Sequence, residues 1–179
     1  VHELHMRHSG GESILDWFCN AVGGGRQGHW FDLPPGVPHC ELPAEPFVVL
    51  CSRPYEHQAW YDPIRQAMRE LVALHPAPVV EVGSPRLDLP PLAVDLGSIN
   101  RTSDGFLEMT GIISKCKVFV GTTSAPLVIA DAWPWVHRVC LHGGGVLDRN
   151  AVTKSPMNHY LDQPTGKQLF EIVRDLLRT

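Results

Sequence analysis

From residue 46 onward, short apolar runs of strand length alternate with longer stretches in which apolar side chains recur every three or four positions. That alternation constrains the fold more than any other feature, because an unbroken apolar run suits a strand buried on both faces, and parallel sheets covered by helices supply such strands. Val48-Val49-Leu50-Cys51 is the first run, set between Pro46 and Ser52-Arg53-Pro54. Ile64, Ala67, Met68, Leu71, Val72 and His75 follow at helical spacing, with Pro63 in the first turn and Pro76 ending the helix. Residues 79–83, 92–97, 117–121 and 136–141 read as four further strands. Between them, Thr102-Ser103-Asp104 caps a helix carrying Phe106, Leu107, Met109, Ile112 and Ile113, and Ser124-Ala125-Pro126 opens a short apolar helix through Trp133. A last helix, from about Thr165 to Leu177, sets Leu169, Ile172, Val173, Leu176 and Leu177 on one face. The expected fold is α/β: a Rossmann-like parallel sheet over residues 46–179, with helices on both faces and right-handed crossovers. Sheets of this kind bind ligands outside the carboxyl ends of their strands.

Residues 1–45 have a different texture. Leu4-His5-Met6-Arg7 alternates like a strand, and Ile14, Leu15, Phe18, Cys19 and Val22 suggest one helix stopped by Gly23. The glycines and prolines from Gly23 to Pro46 then make an extended connector. The chain therefore divides into a reduced N-terminal segment and connector, 1–45, and a Rossmann-like domain, 46–179. Trp30, Phe31 and Leu33 lie where prolines disfavour helix or central strand, which makes that stretch a candidate surface for another chain.

Composition removes several classes of function. Charged residues make up 19% of the chain and hydrophobic ones 44%, against a usual charged share of about 25%, so neither an acidic disordered tail nor a coiled coil fits. Lys+Arg 15 against Asp+Glu 19 gives a net charge of −4, and without a basic run the footprint of a nucleic-acid binder is missing. The 5 cysteines are scattered singly with no C-x-x-C pair, which argues against a disulfide framework or a zinc knuckle and for a reducing, cytoplasmic compartment. No apolar run approaches the roughly 20 residues of a transmembrane segment, and the N-terminal residues lack the pattern of a signal peptide.

Three motifs fail on context. Residues 23–28 match G-x-G-x-x-G but follow a helix and lead into a proline-rich stretch, whereas the dinucleotide fingerprint follows a strand and opens a helix. His2-Glu3-Leu4-His5 is one residue short of H-E-x-x-H, and in a strand its histidines would point to opposite faces, so no metal site is assigned. His142-Gly143-Gly144-Gly145 resembles an oxyanion loop, yet no G-x-S-x-G elbow accompanies it, and it reads as a turn.

Residues 118–130 run strand, small polar loop, helix. Backbone N–H groups at that helix start, together with the hydroxyls of Thr122, Thr123 and Ser124, form a ready cradle for an anion or diphosphate. The same hydroxyls can equally be spent on capping the helix.

Residues 46–142 resemble the C-terminal, nucleotide-sugar-binding domain of the heptosyltransferase-like glycosyltransferases, a GT-B family that includes the ADP-heptose:lipopolysaccharide transferases. Residues 120–132, VGTTSAPLVIADA, track the family's V-G-x-D-S-G-P-x-H-x-A-A-A, and the helix before them is similar to L-x-E-L-A-x-L-I-x-x-A. Ser52-Arg53-Pro54-Tyr55 with Trp60 occupies the place of the family's phosphate-contacting loop. The family's Asp, Gly and His fall on Thr123, Ala125 and Val128, and a lysine falls on Gln58. Arg53 and His57 are positioned to take over phosphate binding, Arg53 through its bidentate guanidinium. Ser9-Gly10-Gly11-Glu12-Ser13-Ile14-Leu15 is similar to the acceptor-side S-x-x-G-D-x-L-L, in which the acidic residue is the general base, a role that falls on Glu12.

The resemblance implies transfer of a sugar from a nucleotide-diphosphate donor to an acceptor hydroxyl, with catalytic Glu12 and substrate-binding Arg53, His57, Thr122, Thr123, Ser124 and Ala125, and no cofactor. The alternative is a catalytically degenerate module acting as a binding or structural subunit of a larger assembly. A nucleotide-sugar epimerase shares the architecture, but its acid/base set is not found here. Because the family's N-terminal domain is reduced to an arm, a homo-oligomer or a protein complex is expected to cover the ligand edge. The tryptophans, Trp17, Trp30, Trp60, Trp133 and Trp135, would mark such a contact where they are exposed.

Overall fold

The computed structural model describes residues 33, 35–37, 41–51, 61–74, 77–82, 93–95, 103–142 and 155–179. In chain order the elements are β1 (Val48–Cys51), α1 (Tyr61–Ala73), β2 (Val79–Val82), β3 (Ala93–Asp95), α2 (Ser103–Lys115), β4 (Val118–Thr122), α3 (Ala125–Asp131), β5 (His137–His142), β6 (Asn158–Asp162) and α4 (Gly166–Arg178). The six strands form one sheet in the order β3-β2-β1-β4-β5-β6, and every neighbouring pair is parallel. This is an α/β, Rossmann-like fold whose strand order reverses between β1 and β4.

The apolar runs are unbroken because both faces of the sheet are covered. Val48, Leu50, Val118, Val120, Val139 and Leu141 pack with Ile64, Met68 and Leu71 of α1 and with Leu169 and Val173 of α4. Val49, Cys51, Val80, Val82, Phe119 and Cys140 point the other way, towards Met109, Ile112 and Ile113 of α2 and Leu127, Ile129 and Ala130 of α3. Neighbouring residues of one strand thus enter different cores, as the two-residue repeat of a strand requires. Leu33 and Leu42 pack against the α2/α3 side. Leu33 of the expected contact stretch is therefore engaged by its own chain, while Trp30 and Phe31 lie outside the described residues.

Sequence patterning stops one strand short. β6, Asn158-His159-Tyr160-Leu161-Asp162, is only partly buried along its length. An edge strand is held through its backbone and one neighbour, so it needs no apolar run and offers little for pattern to detect. The short helix also ends earlier than expected, at Asp131 rather than Trp133. Its last turn tightens, with Ala132 N–H donating to Ile129 O at 3.0 Å and Trp133 N–H to Ala130 O at 3.2 Å.

Arg138 of β5 closes that end. Its guanidinium is 1% exposed, and Nη1 donates to the carbonyls of Ala130, Trp133 and Val136 at 3.3, 3.1 and 2.9 Å. Nη2 donates to Ser155 Oγ at 3.1 Å, and Nε faces Asp131 Oδ1 at 3.4 Å and donates to Asn158 Oδ1. One buried side chain thus joins the C-terminus of α3, β5 and the entry to β6. Trp133 is buried beside it, and Trp135, 50% exposed, donates from Nε1 to Ser114 O at the end of α2 at 2.8 Å. Trp135 is thus tethered to its own chain, and Trp17, Trp30 and Trp60 lie outside the described residues.

α4 docks on α1 through a glycine. Gly166 N–H donates to Glu70 Oε2 at 3.1 Å, and a Cβ at position 166 would overlap the Glu70 side chain at its Cβ, next to the α1 backbone. The Thr165–Gln168 capping box completes this helix start, with Gln168 N–H on Thr165 Oγ1 at 3.3 Å and Thr165 N–H on Gln168 Oε1 at 2.9 Å. Gly166→Ala is expected to destabilise the fold by about 1–3 kcal/mol, the usual cost of overpacking. Glu70→Ala, which removes only the carboxylate partner, should cost about 1 kcal/mol. Urea unfolding of the two variants against the parent chain checks this order.

No helix among the described residues is long and apolar enough to cross a membrane.

Candidate functional site

Every strand ends on the same edge, because every pair is parallel. Cys51 lies in register with Val82 and Gly121, Glu81 with Asp95, Thr122 with Leu141, and His142 with Asp162. α1, the next element after β1, packs on one face of the sheet, and α3, the next after β4, packs on the other. In sheets of this kind ligands bind beyond the strand tips where adjacent strands diverge in this way. Ser52, Gly83 and Gly97, the expected tips of the first three strands, lie just outside the described residues.

Gly121 lets the two tips approach. A Cβ there would lie 3.0 Å from the Phe119 ring and 3.2 Å from Cys51 Cβ, closer than ordinary packing tolerates. Thr122 follows as the last residue of β4, not as a loop residue, and is 2% exposed. Thr123 and Ser124 are half-buried and Ala125 is exposed. These four expected site residues are thus contiguous at one strand tip. Glu12, Arg53 and His57 lie outside the described residues.

The two uses left open for the hydroxyls are resolved at Ser124. Its backbone is extended and its side chain makes no cap bond to α3. Ser124 Oγ instead donates to Thr122 O at 3.0 Å and sits 4.0 Å from Cys51 Sγ across the β1–β4 junction. The hydroxyl therefore shapes the strand-to-helix turn and leaves the helix start without a side-chain cap. Val128 N–H closes the first turn on Ser124 O at 3.2 Å. Pro126, in the first turn, has no N–H, so Ala125 and Leu127 carry the other first-turn donors. Val128, where the resemblance has histidine, is half-buried.

The sequence reading missed a polar pair on the same edge. His142 Nδ1 and Asp162 Oδ1 lie 3.3 Å apart at the tips of β5 and β6. The contact is a close approach of ring nitrogen to carboxylate oxygen and not an aligned hydrogen bond. The sequence pattern reads His142 as part of a turn with the glycines after it. Only the β5–β6 register brings Asp162 to it, and no spacing in the sequence signals that register.

Other reactive groups are muted. Burial raises the Cys140 thiol to about 12, against the opposing influence of the Arg138 charge, and burial likewise pushes Cys116 up. Neither is a thiolate nucleophile at neutral pH. At the opposite end of β5 and β6, burial holds the His137 and His159 imidazoles below their ordinary range. Charge near His159, Lys117 and Arg138 adds to this for His137, and Arg138 does so for His159. Among the described residues no group of three or more His, Cys, Asp or Glu side chains is arranged to hold a metal ion.

Comparisons with models of known protein families, with curated protein sequences and with solved structures found no match for this chain.

Proposed function

We propose that the chain binds the diphosphate of a nucleotide-sugar in the crevice between β1 and β4 and transfers the sugar to an acceptor hydroxyl. The observation that carries the reading is the coincidence of two independent features. The reversal of strand order falls between β1 and β4, and β4 runs directly into residues 120–132, the segment that resembles the donor-binding motif of the heptosyltransferase-like enzymes. The diphosphate would lie against Thr123 and the backbone donors of Ala125 and Leu127, with Arg53 and His57, which follow β1 in the chain, supplying positive charge. In the transfer, the acceptor oxygen forms a bond to the anomeric carbon, the bond to the diphosphate breaks, and Glu12 takes the acceptor proton.

A second reading, a donor-binding or structural module without chemistry, is favoured by two observations: Ser124 spends its hydroxyl on Thr122 O, and apolar Val128 stands in the place of a histidine. A panel of nucleotides and nucleotide-sugars, read by thermal shift and calorimetry, separates the two. A bound donor at a hundredfold excess over its Kd should stabilise the fold by about 2.7 kcal/mol. Binding with sugar release to an acceptor supports the enzyme, and binding without turnover supports the module. No response from any nucleotide at millimolar concentration removes the enzyme and leaves the structural module.

A further inference from the structure

The two histidines at the far end of β5 and β6 are arranged with more precision than a chance contact requires. His137 begins β5, and His159, on the edge strand β6, faces it with Nε2 3.4 Å from His137 Nδ1, the rings 5.6 Å apart at 42°. The Thr179 hydroxyl lies 3.1 Å from His137 Nε2 and 2.8 Å from Leu176 O. A hydroxyl has one proton. It is donated to the Leu176 carbonyl, which can only accept, so Thr179 Oγ1 accepts from His137 and the His137 proton is on Nε2. His137 Nδ1 therefore presents its lone pair to His159. With no added ligand, His159 Nε2–H donates to that lone pair. If the His159 proton moves to Nδ1, two lone pairs face the same space.

We infer that His137 Nδ1 and His159 Nε2 form a two-histidine site for a divalent transition-metal ion of the zinc class. Two nitrogens bound at about 2.0–2.1 Å in tetrahedral geometry stand about 3.3–3.4 Å apart, which is the spacing found here. The bond from His137 Nε2–H to a fixed acceptor is the partner that orients a ligating imidazole. Both rings are partly exposed, and β6 is the outer strand, so the site is open to solvent on that side. The remaining two positions of the ion are filled by water. Lys117 and Arg138 place positive charge nearby, which weakens binding relative to a closed structural zinc site. The site lies at the amino ends of the strands, away from the β1–β4 crevice, and is independent of the function proposed there.

Zinc titration of the full chain by calorimetry under reducing conditions, with histidine-ring NMR on the same samples, tests this. One zinc per chain should bind in the micromolar range, with stoichiometric shifts of the His137 and His159 ring signals. His137→Ala and His159→Ala should each weaken that binding at least about tenfold. Thr179 is a positioning residue: Thr179→Ala should weaken binding by less, and Thr179→Ser should restore it. Zinc binding unchanged in both histidine variants, zinc heat confined to the histidines and cysteines of residues 1–45, or ring signals of the parent chain that do not move with zinc would each overturn the assignment. The ring signals decide the matter in the parent chain, even where a variant fails to fold.

Discussion

Arg138→Ala is expected to lower the stability of the fold by about 3–5 kcal/mol, the range for breaking a buried ion pair by removing one partner. The size of the effect follows from what is left behind. Asp131, itself 1% exposed, would keep a buried charge without its guanidinium, and the carbonyls of Ala130, Trp133 and Val136 would each lose the guanidinium donor. Arg138→Met in combination with Asp131→Leu should recover much of the loss, because replacing both partners by apolar groups of similar size leaves no charge stranded. Urea unfolding of the single and double variants reads the difference. Equal losses in both would mean that Arg138 acts through packing alone.

If the chain transfers a sugar as proposed, Glu12→Gln is expected to reduce that transfer by roughly 10²–10⁴-fold, the contribution of a general base, while donor affinity changes little. The amide keeps the shape of the side chain and loses the ability to take the acceptor proton. Turnover and donor Kd measured on the same preparation distinguish this from a structural role, in which both would fall together. An unchanged rate would rule Glu12 out as the general base.

The part of the fold that was legible in the sequence is the part whose side chains are buried on both faces. β1, β2, β4 and β5 could be read because their residues fill two cores at once, which demands an unbroken apolar run. The amphipathic α1 and α4 could be read because each presents one apolar stripe, Ile64, Met68 and Leu71 in the first and Leu169, Val173 and Leu176 in the second. β6 could not. Its pairing with β5 rests on backbone groups, and its side chains alternate without an apolar excess. Everything that depends on that register was therefore hidden as well: the approach of His142 to Asp162, the approach of His137 to His159, and the reach of Arg138 to Asn158. Of the candidate site, the strand–loop–helix at residues 118–130 was readable because a glycine and three hydroxyls between an apolar run and a proline have few other uses. Which atom Ser124 would bond was not readable, since Thr122 O and the α3 backbone are equally near in sequence.

The reading of the β1–β4 crevice as a donor site is tested most directly by backbone-amide NMR during titration with a nucleoside diphosphate and its sugar conjugates. Saturable shifts are expected on the amides of Thr123, Ser124, Ala125 and Leu127, with Arg53→Ala weakening the response and the signals of β6 and α4 unmoved. Shifts that fall elsewhere on the sheet, or amides at residues 123–127 that stay still at millimolar ligand, would contradict it.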